Sequence, residues 1–343
     1  MSNVKLVLSQ EQQELRGAVR SFLASASPAA KARDGYDPAV YARLNGELGL
    51  SGLIIPEEYG GAGAGFAELA VALEETGAVL LPGPFLATVF ATIALAATPD
   101  KELLTGIAEG RIAATLSETE VRLTDGKASG ELPRVLSGME ADVLVMPARD
   151  GDGVVMAAVE LSGTGVSRRA LEALDLTRGQ AAVTLDGAPA RVLGQRPAGG
   201  ILERLAVVLA AEQLGVMRAA LDAIVAYAKI RVAFGRFIGS YQGVKHKLAD
   251  MHAKLEQAES IVRYAAWTAD ESPDDLPEAA MLAQAFVGRA CFEVARDHLL
   301  LHGGIGFTWE HDAHLYYKRA KSDEVLLGPP RMYRARLAEL LEL

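Results

Sequence analysis

The chain has 343 residues, of which 50% are hydrophobic and 23% charged, and its formal net charge is −10. This mixture is typical of a globular protein with a substantial core, whereas the acidic balance argues against nucleic acid as a partner, because nucleic-acid binding requires a basic face. The single cysteine, Cys291, permits no intrachain disulfide and lies in an apolar helical run, so we expect a buried, inert thiol and a reducing cytoplasmic location.

The N-terminal part of the chain is predicted to be helical. Ser9 followed by Gln12 is a capping-box pattern, which starts a helix that continues to Leu23. Apolar periodicity predicts three more helices, at Pro38–Leu48, Phe66–Gly77 and Phe85–Ala97. The most apolar stretch, 78–97, contains a Pro-Gly-Pro break at 82–84, and no membrane span is therefore predicted.

A glycine-rich loop precedes the second of these three helices. Its sequence GAGAGF places Phe66 where the dinucleotide-binding fingerprint requires a third glycine. The segment PEEY also separates the preceding apolar run from the glycines, and no alternating strand–helix units follow. The pattern therefore favours a loop between helices over a Rossmann turn.

The middle of the chain changes character at about Arg111. Short β-branched runs separated by Asp-Gly turns predict a small β domain. Helices then resume at Gly200, and they are predicted at Ile201–Ile230, Tyr241–Ala269, Pro277–Leu301, His311–Leu327 and Arg331–Leu341. We predict three domains: an N-terminal α-helical domain at 1–110, a middle β domain at 111–197 and a C-terminal helical bundle at 198–343.

Three blocks of sequence carry the functional signal. Residues 302–321 read HGGIGFTWEHDAHLYYKRAK, and the block Arg231–Met251 reads RVAFGRFIGSYQGVKHKLADM. Both resemble the C-terminal domain of the acyl-CoA dehydrogenase family. Residues Leu48–Gly77 read LGLSGLIIPEEYGGAGAGFAELAVALEETG and resemble its N-terminal helical domain. The resemblance covers nearly the whole chain and implies an α+β multidomain fold, the acyl-CoA dehydrogenase fold, with a four-helix-type bundle at its C-terminal end.

The same resemblance implies a set of FAD contacts across a subunit interface. Arg231, Phe234 and Gln242 match family positions that reach the ADP half of the neighbouring subunit's FAD. A guanidinium can form two parallel bonds to pyrophosphate oxygens, which an ammonium group cannot do. The glycine turn, formed by Gly303, Gly304 and Gly306, matches the family loop that approaches the adenosine. The alternative interpretation of Arg231 is a cation that stabilises a helix C-terminus.

Other polar groups nearby have structural interpretations. Lys245, His246 and Lys247 are expected to lie on a solvated helix face. His302 and His314 are expected to be structural.

Two departures from the family concern the flavin. The family has a glutamine three positions before its glycine pair, where this chain has Leu300. The segment 114–118 keeps a trace of the Thr/Ser-rich loop that touches the flavin ring. Where the family has a tryptophan-containing strand, residues 141–147 follow a shortened segment without tryptophan. Both tryptophans, Trp267 and Trp309, lie in the helical part. The resemblance therefore supports contacts to the ADP half of FAD better than a complete pocket for its reactive ring.

A further departure concerns the catalytic base. Family members remove the α-proton of the thioester with a glutamate just before the glycine that ends the last long helix, and this chain has Leu327 there. The alternative base position of the family corresponds to Leu205, which is also apolar. Glu203 and Glu324 are the remaining carboxylate candidates, together with Glu212 deeper in the same helix as Leu205. Solvated or ion-paired roles are favoured for all three.

These departures resemble the short subunits of heteromeric, α2β2 steroid side-chain acyl-CoA dehydrogenases of bacteria. The resemblance implies a subunit that lacks the base and completes the FAD site of a longer acyl-CoA dehydrogenase partner. It also implies α,β-desaturation of an acyl-CoA thioester and an electron-transferring flavoprotein as the electron acceptor. Two alternatives remain open: a self-sufficient homotetrameric dehydrogenase with an atypical base, and a non-catalytic acyl-CoA-binding scaffold.

Overall fold

A computed structural model describes residues 6–197 and 199–343. Its α-helices are α1 (Gln10–Ala26), α2 (Pro38–Leu48), α3 (Phe66–Ala78), α4 (Phe85–Ala97), α5 (Lys101–Ala108), α6 (Ile201–Ile230), α7 (Gln242–Glu271), α8 (Leu276–Leu301), α9 (Ala313–Asp323) and α10 (Pro330–Leu340). Its strands are β1 (Ala114–Leu116), β2 (Val121–Thr124), β3 (Lys127–Leu136), β4 (Val143–Asp150), β5 (Gly153–Glu160), β6 (Val166–Ala170), β7 (Gln180–Pro189), β8 (Arg191–Gln195), β9 (Val232–Ala233) and β10 (Arg236–Phe237).

The predicted order of helices, strands and helices is confirmed, and several elements match their predictions closely. The capping box at the start of α1 is present, because the Gln12 amide N–H donates to the Ser9 hydroxyl and the Ser9 N–H donates to the Gln12 side chain. The Asp-Gly pair between β2 and β3 forms a two-residue turn with both φ angles positive, at +50° for Asp125 and +71° for Gly126.

Some local predictions were incomplete or wrong. The sequence reasoning missed the short elements α5, β6, β9 and β10. The predicted helix from His311 to Leu327 is shorter, because α9 starts at Ala313 and ends at Asp323. The chain then turns, and the Tyr333 hydroxyl donates to the Leu327 carbonyl at 2.7 Å. The predicted domain boundaries at 110 and 197 remain a prediction.

The chain divides into two compact units. One contains the chain up to Arg33, Phe66–Leu81 and Leu202–Leu343, and it is a helical assembly of α1, α3 and α6–α10 with the small β9–β10 hairpin. Cys291 is buried in this unit, as predicted, and burial raises the pKa of its thiol. No helix in the described ranges is long and apolar enough to cross a membrane.

The other unit contains Asp34–Gly65 and Pro82–Ile201. Its sheet has the strand order β6-β7-β3-β2-β4-β5-β8, and β1 pairs in parallel with β4. The first six residues of β4 are buried, and its alternate residues Leu144, Met146 and Ala148 belong to one core cluster, with the period of two that a strand imposes.

The glycine-rich loop at 60–65 is a connection between helical segments, as predicted. A Cβ atom at Gly61 would collide with the Ile55 carbonyl oxygen, so that glycine serves the packing of the loop itself. At the start of α3, the N–H groups of Phe66 and Ala67 donate to the Asp270 carboxylate at 2.8 and 3.0 Å. A carboxylate therefore occupies the helix N-terminus that a Rossmann turn would offer to a phosphate.

Candidate functional site

The β9–β10 hairpin presents a phenylalanine to solvent in a strained backbone conformation. Pairing of Ala233 with Arg236 leaves Phe234 and Gly235 as a two-residue turn, and both have positive φ angles, +52° and +79°. Glycine adopts such angles freely, whereas a bulky residue pays roughly 1–2 kcal/mol. The Phe234 side chain is 98% exposed, so no packing within the described chain offsets that cost.

The hairpin is braced from the side that faces α7. The Tyr241 hydroxyl donates to the Ala233 carbonyl at 2.9 Å, and the guanidinium of Arg236 lies 3.7 Å from the centre of the Tyr241 ring. The Ile238 N–H donates to the Arg231 carbonyl at 2.8 Å and closes the base of the hairpin. These contacts hold Phe234 in place without touching its ring.

Arg231 and Gln242 flank this hairpin, and both side chains are exposed. Within the described residues, neither side chain forms a hydrogen bond or an ion pair. The Arg231 N–H donates to the Tyr227 carbonyl at 2.9 Å, so the residue continues the last turn of α6. The helix-terminus interpretation of Arg231 is therefore compatible with the backbone, and its free guanidinium remains available to an external anion.

The glycine turn forms a short 3-10 helix, Gly303–Phe307, directly after α8. Two of its glycines are required by the chain itself. Gly303 has a φ of +67°, and a Cβ atom at Gly306 would lie 2.7 Å from the Leu299 carbonyl oxygen. Gly304 has neither constraint, because its φ is not positive and a Cβ atom there would meet open space. Its missing side chain leaves the backbone accessible from outside.

Aromatic contacts connect the end of α6, before the hairpin, with the glycine turn. The sequence analysis did not predict these contacts. The rings of Tyr227, one turn before Arg231, and His302, just before Gly303, have centres 4.4 Å apart. His311 lies 4.3 Å from His302 on the same measure. From the sequence, Tyr227 could only be placed one helical turn before Arg231. No local pattern predicts that its ring contacts His302.

Burial disfavours the charged form of two histidines near the turn, His298 and His302. Burial lowers the pKa of His298 to about 3, with smaller contributions from His302 and His311. Burial also lowers the pKa of His302, against a hydrogen bond from its Nδ1 to the His298 carbonyl at 2.8 Å. The structural role expected for His302 is consistent with this geometry, since its ring packs between Tyr227 and His298.

Neither family position for the base can move a proton, because Leu327 and Leu205 have hydrocarbon side chains. Leu205 is 1% exposed and belongs to the core of α6. Glu324, a carboxylate candidate, is buried and already paired: Lys321 Nζ lies 2.6 Å and Arg289 Nη1 3.5 Å from its oxygens. Each carboxylate oxygen of Glu324 is thus engaged by a cation of the chain itself.

The other two carboxylates have different surroundings. Glu203 is half-buried in the first turn of α6 and lies near Tyr333, whose pKa is raised by burial and, to a lesser extent, by the Glu203 charge. Glu212 is buried beside Arg319, with an Nη1–Oε1 distance of 3.4 Å. Glu212 is thus engaged by a cation, and Glu203 is partly exposed to solvent.

The remnant of the flavin-ring loop is used inside its own unit. The buried Thr115 hydroxyl donates to the Leu136 carbonyl at 2.5 Å. The buried Ser117 hydroxyl accepts from the Thr119 N–H at 3.2 Å. An exposed arginine, an exposed aromatic ring and an open glycine backbone are groups that fit the ADP half of FAD. In the segment 114–118, the hydroxyl groups of Thr115 and Ser117 are instead used within the chain.

Comparisons with known proteins match the chain to acyl-CoA dehydrogenases. Residues 194–341 match the family described as acyl-CoA dehydrogenase, C-terminal domain, and residues 9–110 match acyl-CoA dehydrogenase, N-terminal domain. Acyl-CoA dehydrogenase IpdE2 of Mycolicibacterium smegmatis is 36% identical over 96% of this chain and 98% of its own length. Acyl-CoA dehydrogenase FadE34 of Mycobacterium tuberculosis is also 36% identical, over 97% of this chain but only 48% of its own length.

Two solved structures are similar over nearly the whole chain. The ChsE4-ChsE5 complex from Mycobacterium tuberculosis has a TM-score of 0.90 at 25% identity, covering 98% of this chain and 99% of that one. The Tcur3481-Tcur3483 steroid ACAD has a TM-score of 0.88 at 29% identity, covering 97% of this chain and 98% of that one.

Proposed function

Because this chain belongs to the acyl-CoA dehydrogenase family, an oxidoreductase family with FAD-binding members, we propose that it is the accessory subunit of a heteromeric enzyme. In this α2β2 assembly, a longer acyl-CoA dehydrogenase subunit supplies the base and the flavin-ring pocket. The present chain completes the FAD site of that partner across the subunit interface. The assembly desaturates an acyl-CoA thioester between its α and β carbons and passes electrons to an electron-transferring flavoprotein.

The single observation that carries the proposal is the presentation of Phe234. Its ring is 98% exposed, although its backbone has an unfavourable positive φ angle. The hydrogen bond from Tyr241 to the Ala233 carbonyl stabilises the hairpin in this conformation. Residues held in costly conformations cluster at ligand and interface sites, where an external group returns the energy. We propose that the adenosine part of FAD meets Phe234, and that Arg231 and Gln242 contact the pyrophosphate or the adenine edge.

The proposed roles of the two subunits follow from the leucines that this chain has at the two positions predicted for the base. FAD, when bound, supplies the acceptor for the hydride that leaves the β-carbon of the substrate. The α-proton needs a carboxylate, and this chain has leucines at both family positions and a cation-paired Glu324 nearby. Proton removal is therefore assigned to the partner, and this chain contributes binding and orientation of the cofactor.

The similar proteins support a heteromeric assembly and suggest its substrate. One similar structure is a complex of two named chains, and the other is described as a steroid ACAD. FadE34 is about twice as long as the region that matches this chain, as expected for a fusion of two such subunits. We propose a steroid side chain as the acyl group on this basis.

The first test measures flavin per polypeptide. The chain is purified alone and after co-expression with a longer acyl-CoA dehydrogenase homologue from the same genome. The proposal predicts little flavin on the lone chain and one FAD per pair of chains in the complex. One FAD per chain in the lone protein would instead support the self-sufficient homotetramer.

Two variants test the contacts themselves. Arg231→Ala is expected to weaken FAD binding by the complex about tenfold to a hundredfold, because a charge-assisted contact is lost. Phe234→Gly should stabilise the free chain by about 1 kcal/mol, since glycine removes the backbone strain, while it lowers FAD retention. Arg43→Ala, which breaks an exposed pair with Glu47, is the matched control and should leave FAD binding unchanged. Unchanged FAD affinity in both site variants would contradict the assignment of these contacts.

A further inference from the structure

An exposed loop, residues 303–310, connects α8 to α9. Of its residues, only Gly306 is buried, and the others are exposed. Because an exposed loop has no core of its own, its conformation depends on contacts at its ends and on its few attachments to neighbouring elements. The loop contains the open backbone of Gly304, so the groups that fix the loop also fix that backbone.

A histidine stands at each end of this loop, and the two rings meet across its base. His302 precedes the loop and His311 follows it, and their ring centres are 4.3 Å apart, with 47° between the ring planes. His302 is buried and His311 is half-buried. We refer to this pair of rings as the histidine clasp, because it joins the two ends of the loop.

The clasp is anchored on three helices. The His302 Nδ1 donates to the His298 carbonyl of α8 at 2.8 Å. The Tyr227 ring of α6 lies 4.4 Å from the His302 ring and 6.4 Å from the His311 ring, measured between centres. The Ala313 N–H, at the first residue of α9, donates to His311 Nδ1 at 3.1 Å. Opening the clasp would therefore release the loop from α6, α8 and α9 together.

A second attachment holds the later part of the loop. Arg33 donates to the Trp309 carbonyl and forms an ion pair with Asp312. Neither contact uses an imidazole. The clasp is therefore the part of this support whose groups belong to the residue type that titrates near neutral pH.

The contacts of the clasp require neutral rings. His311 Nδ1 accepts a hydrogen bond, which a protonated Nδ1 cannot do, and a positive charge at the start of α9 opposes the helix dipole. Two protonated rings at this separation would also repel each other. Burial lowers the pKa of His302, against its bond to the His298 carbonyl, and the His311 ring lowers it further.

The surroundings offer no counter-charge to a proton on the clasp. Among the described residues, none of the imidazoles of His298, His302 and His311 has a carboxylate partner. The titratable and charged groups that face the clasp are His298 of α8, Tyr227 of α6, Tyr316 of α9 and the ion pair of Arg33 with Asp312. The one carboxylate in this set is already engaged by an arginine, so protonation would leave an uncompensated charge.

We propose that His302 and His311 are positioning residues, which as neutral rings hold the loop closed at its base and which release it when they take up protons. The inference rests on the proposed function for the identity of the ligand, the ADP half of FAD, to which the loop presents its backbone. A released imidazole regains its ordinary affinity for a proton, so release takes up protons. Cofactor binding should therefore weaken as the pH falls below about 6.5.

The first measurement is hydrogen exchange of residues 303–313 in the full-length chain at pH 7.5, 6.5 and 5.5, corrected for the intrinsic exchange rate at each pH. Protection in the wild type is expected to fall by up to about tenfold per pH unit for each proton taken up. His311→Asn keeps an acceptor for the Ala313 N–H but has no titratable ring, so its protection should be nearly independent of pH. His252→Asn removes an exposed imidazole of α7 and should keep the wild-type dependence.

The second measurement is the FAD dissociation constant of the complex with the longer subunit over the same pH range. In the wild type and in His252→Asn it should rise about tenfold or more between pH 7.5 and 5.5, and in His311→Asn less than about twofold. Far-UV circular dichroism at each pH verifies that the chain is folded. Both variants retain His298, so any acid effect of that residue is common to them.

The inference is wrong if loop protection in the wild type is independent of pH, or if His311→Asn keeps the wild-type dependence. If FAD binding depends on Arg231 but His311→Asn does not flatten its pH profile, the positioning role fails and the proposed function stands. If hydrogen exchange follows the prediction but no complex takes up FAD at any pH, the clasp stands as a property of the loop and the proposed function fails.

Discussion

Much of the functional evidence comes from single residues whose conformation or missing side chain has no explanation in the contacts of the described chain. Phe234 holds a positive φ with its ring in solvent, and Gly304 omits a side chain that nothing would obstruct. A residue that serves only its own fold would be expected to relieve such strain or fill such space. His298 is different, because it is buried in the core and its burial has a predictable effect on stability.

Acid should destabilise the protein partly through His298. Both of its ring nitrogens lack hydrogen-bond partners among the described residues, and burial lowers its pKa to about 3, against about 6.5 in the unfolded chain. Between these values the unfolded state binds a proton that the native state does not, so stability falls as the pH drops from about 6.5 toward 3. His298→Phe should reduce that slope by up to about 1.4 kcal/mol per pH unit.

Urea unfolding between pH 6.5 and 4.5 measures this slope. The phenylalanine ring preserves the edge-on contacts of His298 with His302 and Tyr316. His246→Gln, at an exposed position of α7, serves as the control and should retain the wild-type slope. An unchanged slope in His298→Phe would show that His298 is not held neutral in the native protein.

At the scale of elements, helices α3 and α6 cross with their backbones in close contact. A Cβ atom at Gly77 would collide with the Glu212 carbonyl oxygen, and one at Gly215 would collide with the Glu74 carbonyl oxygen. The contact is reciprocal and involves backbone atoms, which cannot move aside as a flexible side chain can. Near this crossing, burial alone would raise the pKa of Glu74, but Arg263 and two further arginines lower it below its usual value.

Gly215→Ala should therefore destabilise the protein by about 2–3 kcal/mol or more, because the added methyl group meets backbone. Gly17→Ala is the matched control, since Gly17 lies within α1 and its Cβ position is open. It should stabilise the protein by up to about 1 kcal/mol through helix propensity and the unfolded state. Chemical unfolding of both variants distinguishes the two cases, and equal effects would contradict the close crossing.

At the scale of the whole molecule, the proposed function combines cofactor contacts from this chain with a catalytic base from a partner subunit. Glu324 is ion-paired with Lys321 and Arg289, and Glu203 lies in the first turn of α6. The shared-site proposal makes both carboxylates irrelevant to proton abstraction. The alternative of a self-sufficient enzyme requires an atypical base, such as Glu203 or Glu324.

Glu203→Gln and Glu324→Gln should each leave turnover by the complex within about twofold of wild type. A lost general base costs about a hundredfold or more, so the two outcomes are well separated. Stability is measured alongside, because Glu324→Gln leaves two cations without their carboxylate and should lower the melting temperature. Loss of turnover in a folded variant would identify an atypical base in this chain and overturn the assignment of proton removal to the partner.

Local patterns in the sequence determined the capping box of α1, the Asp-Gly turn between β2 and β3, and the bounds of α2, α4 and α6. Each depends on residues within one or two turns, which a single sequence displays. The sequence motifs also led to the family and to Leu327 and Leu205 as apolar base positions, since a residue type can be read without its surroundings.

Only the tertiary structure decided which groups are free and which are occupied. It showed Glu324 between two cations, the Thr115 hydroxyl bonded within its own sheet unit, and Arg231 without a partner among the described residues. It also joined Tyr227 to His302 and placed Arg33 on the segment of Trp309. These contacts link residues far apart in the chain, and their geometry depends on how whole helices pack, which no local pattern specifies.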